Sequence, residues 1–188
     1  LVIDIETKNT IADVGGDKNI KSLDASFVGV YSYAKDAYFS FHEHELNGVG
    51  PLLKNAGLVV GFSINRFDIP VLEKYCAFNV FALKRLDLLE EIELALGRRV
   101  SLDILARENL GIGKTHHGLE AITMYHEGRL EELKQYCLND VKITKELYDL
   151  ARRQGYFMVP HRDTGEKIKV PFSWKEESGL PSSMPEWK

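Results

Sequence analysis

The chain has 188 residues, 44% hydrophobic and 28% charged, which is typical of one globular domain with a tail. No apolar run approaches the ~20 residues that a membrane-spanning helix needs, so we expect no membrane contact. The net charge of −4 argues against a protein that binds long duplexes through many phosphates. Cys76 and Cys137 form no CxxC or zinc spacing, which is typical of buried thiols in a reducing compartment and predicts a cytoplasmic location.

The first third of the chain predicts an antiparallel meander. Residues 1–6, 26–34 and 37–41 alternate as strands do, and Asp36-Ala37 suits a tight connection. A polar stretch at residues 8–24 predicts a loop that would form the rim of a site.

The middle of the chain alternates short apolar strands with helices. Ser101 is a good N-cap and Gly111 a good stop for the helix between them. We predict strands at residues 58–62 and 83–86, and helices at 46–54, 68–75, 88–96, 102–110, 120–127 and 130–153. A meander followed by this alternation predicts an α/β fold with a mixed β-sheet flanked by helices.

The character of the chain changes after Gly155. Extended runs at residues 156–160 and 167–172 flank a DTG turn, which predicts a β-hairpin. We therefore divide the chain into a domain at residues 1–154, a C-terminal hairpin extension at 155–174 and a polar tail at 175–188. The hairpin would cover a cleft, form a dimer edge or cap the core, and its aromatic side chains favour packing over base stacking.

Two acids on the first strand are the first candidates for chemistry. Successive strand residues face opposite sides, so Asp4 and Glu6 share one face while Ile3 and Ile5 share the other. Neighbouring carboxylates repel unless a cation lies between them, and oxygen ligands suit Mg²⁺ or Mn²⁺. A strand end that emerges into solvent is the competing interpretation, but the preceding apolar run is typical of a central strand.

A third acid, Asp68, stands at a predicted helix start with Pro70 in the first turn. N-capping would explain this acid without any function. Asn65 belongs to the same turn.

The fourth acid lies on the long last helix. On a helical wheel with Cys137 at 0°, the residues of an apolar face lie within ~40° of Cys137. Asp140 lies ~60° from Cys137, where an apolar residue is expected. Burying a carboxylate there is costly unless it is paired or binds a metal. Tyr136 lies one turn earlier on the same edge. The residues of the predicted face are Leu130, Leu133, Cys137, Val141, Thr144, Tyr148 and Ala151.

DxE on a first strand, NxxFD at a helix start and YxxxD on a late helix resemble the three motifs of the DEDD 3′–5′ exonuclease superfamily, in its tyrosine-bearing branch. Residues 101–103 and 110–114 also resemble family B DNA polymerase proofreading domains. The chain is similar as well to stand-alone bacterial and archaeal ribonuclease-H-like exonucleases. The resemblance covers residues 1–150.

The resemblance implies a ribonuclease-H-like fold and a 3′–5′ exonuclease that hydrolyses the 3′ ends of single-stranded DNA or RNA. Two Mg²⁺ or Mn²⁺ ions would be the cofactors, and Asp4 would bridge them. Tyr136 would orient the attacking water, since a phenol is a poor base at pH 7. The implied metal ligands are Asp4, Glu6, Asp68 and Asp140.

The resemblance also implies a strand-binding cleft, with substrate contacts from Thr7, Asn65, Phe67 and Lys114. For Phe67 a place in the core is an equal alternative. Lys8, Arg98, Arg99, His116 and His117 are further candidates for phosphate contacts.

Two other interpretations stay open. In the first, the chain is a non-catalytic nucleic-acid-binding or docking module with the same fold. Loss of one acid would be its sequence signature, and all four acids are present. The chain would alternatively be one exonuclease domain of a larger polymerase or helicase assembly, since it begins at Leu1 rather than at a methionine.

Overall fold

The computed structural model describes residues 1–112 and 118–172, and the predicted tail at 175–188 lies outside this part of the chain. The strands are β1 (Val2–Thr7), β2 (Ala25–Ser32), β3 (Ala37–His42), β4 (Val59–Gly61), β5 (Arg85–Asp87), β6 (Tyr156–Pro160) and β7 (Lys167–Pro171). The α-helices are α1 (Val49–Lys54), α2 (Asp68–Leu72), α3 (Leu88–Leu96), α4 (Leu102–Leu110), α5 (Gly118–His126) and α6 (Leu130–Gln154). Among the described residues, no helix has the length and apolar character that crossing a bilayer requires.

Five strands form one mixed sheet in the order β3-β2-β1-β4-β5, which confirms the predicted α/β fold. The pairs β1/β2 and β2/β3 are antiparallel, as the predicted meander requires. The pairs β1/β4 and β4/β5 are parallel. β1 is therefore the central strand, and the apolar run before its acids is explained by burial on both faces.

The alternation along β1 divides the core between the two faces of the sheet. Ile3 and Ile5 pack with side chains of α1 and α2 on one face. Val2 packs on the other face against α6, α4 and the C-terminal hairpin. Asp4 and Glu6 follow Val2 at intervals of two, so β1 turns both acids toward α6.

The long helix α6 approaches the sheet closely because β2 offers it a glycine. A Cβ atom at Gly29 would lie 3.0 Å from Val141 Cγ2 and 3.1 Å from Cys137 Sγ. Gly29 is also the register partner of Asp4 across the β1/β2 pair. The missing side chain therefore lets α6 pack directly beside the acidic part of β1.

The predicted apolar face of α6 is confirmed except at its first residue. From Leu133 to Ala151 the side chains of this face are buried. Leu130 is 42% exposed, because it begins the helix beyond the edge of the core.

The C-terminal residues form the predicted hairpin of β6 and β7 as a separate two-stranded sheet. Phe157 and Phe172 are buried in the core that β1 shares with α6. Asn109 of α4 holds β6 through both the N–H and the C=O of Met158, at 2.7 and 2.8 Å. In the described residues the hairpin thus caps the core, and these two aromatic rings are packing residues.

Two predicted helices are shorter than expected. The predicted helix at residues 46–54 begins as a 3₁₀ segment, Glu43–Gly48, whose N-terminus is closed by a capping box between His42 and Glu45. The helix that was predicted to run to Tyr75 ends as α-helix at Leu72 and continues as one 3₁₀ turn. Both segments are too short for α-helical periodicity to define their ends.

Candidate functional site

The candidate site lies where three parallel strands of the sheet end. β1, β4 and β5 run in the same direction, so their carboxyl ends meet at one edge of the sheet. The register of the β1/β2 pair shifts between Glu6 and Thr7, and such an irregularity redirects the side chains around it. In open α/β sheets this edge is the usual place for a ligand.

The acids of β1 meet the thiol of α6. One carboxylate oxygen each of Asp4 and Glu6 and the sulfur of Cys137 all lie within 4.8 Å of one another. The Cys137 thiol lies 3.4 Å from the carbonyl oxygen of Asp4 and 3.5 Å from its Oδ2, and donates to both. The sequence predicted a buried thiol at Cys137, but not its contact with the acids.

Asp68, the first residue of α2, approaches Asp4. Its side chain is 3% exposed, and its Oδ1 has no hydrogen-bond partner among the described residues. Burial raises the pKa of the Asp68 carboxyl well above its usual range, and the negative charge of Asp4 raises it further. The N–H groups of Asp68 and Ile5 act against this rise.

Asp68 does not cap α2, so the alternative explanation of this acid is wrong. The N-cap of α2 is Phe67, and no side chain caps this helix. Asp68 is instead the first residue of α2 and points its carboxylate into the protein, where a charge is costly without a partner of opposite sign.

Asp140 and Tyr136 complete the group from α6. Asp140 is 3% exposed, as its place on the helical wheel predicted, and Tyr136 is 5% exposed. Asp140, Asp4 and Glu6 together raise the pKa of the Cys137 thiol, after burial as the largest cause, so three acids surround this sulfur. Tyr136 packs beside Cys137 in a small cluster that includes Phe27 and Met124.

This arrangement fits a hard divalent cation. Asp4 and Glu6 lie together on β1, Asp68 of α2 is close enough to Asp4 for their charges to repel, and Asp140 of α6 is close enough to Cys137 to raise its pKa. Among the described residues, one buried oxygen of Asp68 has no hydrogen-bond partner. Hard ions such as Mg²⁺ and Mn²⁺ take carboxylate oxygens as ligands. A bound cation would reverse the mutual repulsion that raises the pKa of Asp68.

The predicted substrate contacts differ in how they are held. Thr7 is buried and donates its hydroxyl to the carbonyl of Asn9 at 2.9 Å. Asn65 accepts from Arg85 Nε at 2.9 Å and donates to Glu90 Oε2 at 2.5 Å, so its amide has a defined orientation. Phe67 is half-buried and packs on the core beneath β1, and Lys114 lies outside the described residues.

The described basic residues among the predicted phosphate contacts are engaged within the protein. Lys8 pairs with Glu43, which also accepts a hydrogen bond from Tyr125. Arg98 donates to the carbonyl of Pro160 at 2.5 Å and so anchors the hairpin. Arg99 is exposed and lies 3.2 Å from the hydroxyl of Ser63. His116 and His117 lie outside the described residues.

The structure adds one residue that the sequence interpretation missed. Asp87 ends β5, is 4% exposed, and binds backbone N–H groups both of α3 and of the turn before Asp68. An acid between a short strand and a helix is a recognisable N-cap signal. Its second set of partners lies more than 20 residues earlier and leaves no local pattern.

The comparisons with known proteins agree with this architecture. The RNase_H_2 family model, of the RNase_H superfamily, matches residues 1–152. The structure of a family B DNA polymerase from the hyperthermophilic archaeon Pyrobaculum calidifontis is similar with a TM-score of 0.62 and 16% identity. That match covers 80% of this chain and 24% of the polymerase chain, so the chain spans about a quarter of that protein. A search of curated proteins finds no match.

Proposed function

We propose that this chain, which belongs to the RNase_H superfamily, is a metal-dependent 3′–5′ exonuclease of the tyrosine-bearing DEDD branch. Its substrate would be the 3′ end of single-stranded DNA or RNA. The observation that carries the proposal is the convergence of Asp4, Glu6, Asp68 and Asp140 at one edge of the sheet, with Tyr136 one turn from Asp140.

The four acids would hold two Mg²⁺ or Mn²⁺ ions. When bound, such ions activate water and stabilise the oxygen that leaves the cleaved phosphodiester. Asp4 is central among the acids, because it affects both the pKa of Asp68 on one side and that of Cys137 on the other. Asp4 would therefore be the acid best placed to help hold both ions.

Tyr136 would orient the attacking water through its hydroxyl. Its ring is fixed by packing against Phe27 and Met124, which limits the directions that the hydroxyl can take. Orientation of a reacting water requires such a fixed donor, and a misplacement of about 1 Å costs roughly 100-fold in rate. A Tyr136→Phe variant keeps the packing and removes only the hydroxyl.

The strand would enter over the turn that joins β4 to α2. Thr7 follows Glu6 at the end of β1, and Asn65 and Phe67 stand in the turn that leads into Asp68, so these residues would contact the terminal nucleotide. Lys114 would add a phosphate contact. In the described part of the chain, Lys8 and Arg98 are engaged by Glu43 and by the carbonyl of Pro160, and the chain has a net charge of −4. Binding would therefore be local and would depend on the metal ions for charge compensation.

The test is the release of mononucleotides from oligonucleotides that carry a label at the 3′ or the 5′ end, as DNA and as RNA of one sequence. With Mg²⁺ or Mn²⁺ the wild type should release the 3′ label first as a mononucleotide. Asp4→Ala and Asp140→Ala should abolish release, and Tyr136→Phe should slow it about 10–100-fold. Glu131→Gln, an exposed acid on the same helix α6, is the matched control and should be fully active.

Two results would contradict the proposal. Release that survives in Asp4→Ala and Asp140→Ala would place the activity elsewhere. Binding of a labelled strand without turnover in either metal would favour the non-catalytic binding module.

A further inference from the structure

The carboxylate of Asp87 joins two parts of the fold that are distant in sequence. Its Oδ1 accepts from the N–H of Ser63 at 2.8 Å and from Leu89 N–H at 3.0 Å. Its Oδ2 accepts from the N–H of Asn65 at 3.0 Å. A longer contact of 3.3 Å to Glu90 N–H completes the cap of α3.

The turn that Asp87 holds leads directly into Asp68. Ser63 follows β4 with a φ of 67°, a left-handed conformation that side chains other than glycine rarely adopt. The carbonyl of Ser63 then accepts from the N–H groups of Arg66 and Phe67, which closes the turn. Such a backbone persists only where its surroundings hold it, and Asp87 supplies two of the hydrogen bonds that do so.

No side chain caps the start of α2, where the N–H of Ile69 donates to the carbonyl of Ile64 at 3.0 Å. This helix has five residues and no side-chain cap, so its first residue, Asp68, takes its position from the turn before it. The Cβ atom that Gly61 lacks would lie 2.1 Å from Ile64 Cγ2, so the turn also folds tightly back onto the end of β4. The turn is thus held by close packing at Gly61 and by the carboxylate of Asp87.

We propose that Asp87 is a positioning residue, which places the Asp68 carboxylate and the Asn65 backbone for metal and strand binding without touching either ligand. The proposal rests on the proposed function, because it assumes that Asp68 binds a metal. Hydrogen-bond partners behind a metal ligand typically change metal affinity by about 10–100-fold when they are removed. We expect a change of that size here.

The test separates the capping of α3 from the holding of the turn. Serine is a good N-cap, so Asp87→Ser keeps the cap of α3 but is too short to reach the turn. Asp87→Asn keeps one acceptor oxygen and should give a smaller effect. The matched control is Ser101→Ala, which removes the N-cap bond of the neighbouring helix α4 to Ile104 N–H at 3.2 Å and has no contact with the turn.

Two quantities are measured at a temperature where circular dichroism shows each variant folded. The first is Mn²⁺ binding by calorimetry, and the second is the Mn²⁺ concentration that half-saturates nucleotide release. Asp87→Ser should weaken both about tenfold or more, whereas Ser101→Ala should change neither by more than about twofold. Loss of a helix cap lowers the unfolding temperature of Ser101→Ala without changing its Mn²⁺ dependence, so this control shows that lower stability alone does not weaken metal binding.

The outcomes separate the two proposals. Wild-type Mn²⁺ affinity in a folded Asp87→Ser variant overturns the positioning role while the nuclease proposal stands. A wild type that neither binds Mn²⁺ nor releases nucleotides overturns both. If Asp87→Ser and Asp87→Asn do not fold, Asp87 is required for the fold itself, and the positioning role is overturned.

Discussion

Replacing Asp4 by asparagine should stabilise the protein in the absence of metal and destabilise it, relative to wild type, in its presence. The reason is the repulsion between Asp4 and the other acids. Carboxylate oxygens of Asp4 and Glu6 lie within 4.8 Å of each other. Two charges at that distance repel by about 3.5 kcal/mol at an effective dielectric constant of 20, and by about 0.9 kcal/mol in water.

The half-buried position of Asp4 places the effect between these limits. In EDTA we expect Asp4→Asn to raise the free energy of unfolding by about 1–3 kcal/mol. This corresponds to an unfolding temperature roughly 2–12 °C higher for a chain of this size. Mn²⁺ at about 1,000 times its dissociation constant should add about 4.1 kcal/mol to the free energy of unfolding of the wild type, which exceeds the gain expected for Asp4→Asn. The variant has lost a carboxylate of the proposed metal site, so Mn²⁺ should add little to its free energy of unfolding.

The assay is thermal unfolding followed by circular dichroism, in EDTA and in a Mn²⁺ series. The order of the two unfolding temperatures should invert between these conditions. Glu131→Gln, whose side chain is exposed, should follow the wild type within about 0.5 kcal/mol in both. An Asp4→Asn protein that is less stable than wild type in EDTA would refute the repulsion argument, and an unchanged Mn²⁺ response would refute the ligand assignment.

Two further predictions concern the approach of α6 and the charge of Asp68. Gly29→Ala places a Cβ 3.0 Å from Val141 and should lower the free energy of unfolding, measured by chemical denaturation, by about 1–3 kcal/mol. It should also weaken Mn²⁺ binding. The control Gly50→Ala, whose added Cβ has no neighbour closer than 3.8 Å, should change neither quantity. The raised pKa of Asp68 means that the folded state holds this proton more tightly than the unfolded state does. Without metal, the stability of wild type relative to Asp68→Asn should therefore fall as the pH rises from about 4 through the raised pKa, in urea titrations. A difference that does not vary with pH would contradict the burial of an ionisable Asp68.

Local sequence signals predicted most of the secondary structure. The bounds of α3 and α4 agree with the prediction, because their ends depend on neighbouring residues such as Ser101 and Gly111. The 3₁₀ segments before α1 and after α2 were not predicted. Their geometry depends on how short connections fit against the sheet, and a few residues carry no periodic pattern that would reveal it.

The candidate site was predictable where an acid interrupts an apolar pattern. Asp140 stood out on the wheel of α6, and its burial is confirmed. Asp68 was ambiguous, since an acid at a helix start is usually a cap. Its burial and its unpartnered oxygen became visible only when α2 was placed against β1.

The sequence by itself determined which residues are candidates and on which elements they lie, because strand alternation and helical periodicity are local properties of the chain. Asp4 and Glu6 on one face of a central strand, and Asp140 with Tyr136 on one edge of a late helix, follow from spacing alone. Only the tertiary structure decided that these elements meet. The contact between Cys137 and Asp4 joins residues 133 positions apart, and the hold of Asp87 on the turn before Asp68 spans up to 24. These contacts between distant residues form because β1, β4 and β5 end at the same edge of the sheet and because Gly29 has no side chain to keep α6 away. Both conditions exist only in the packed sheet.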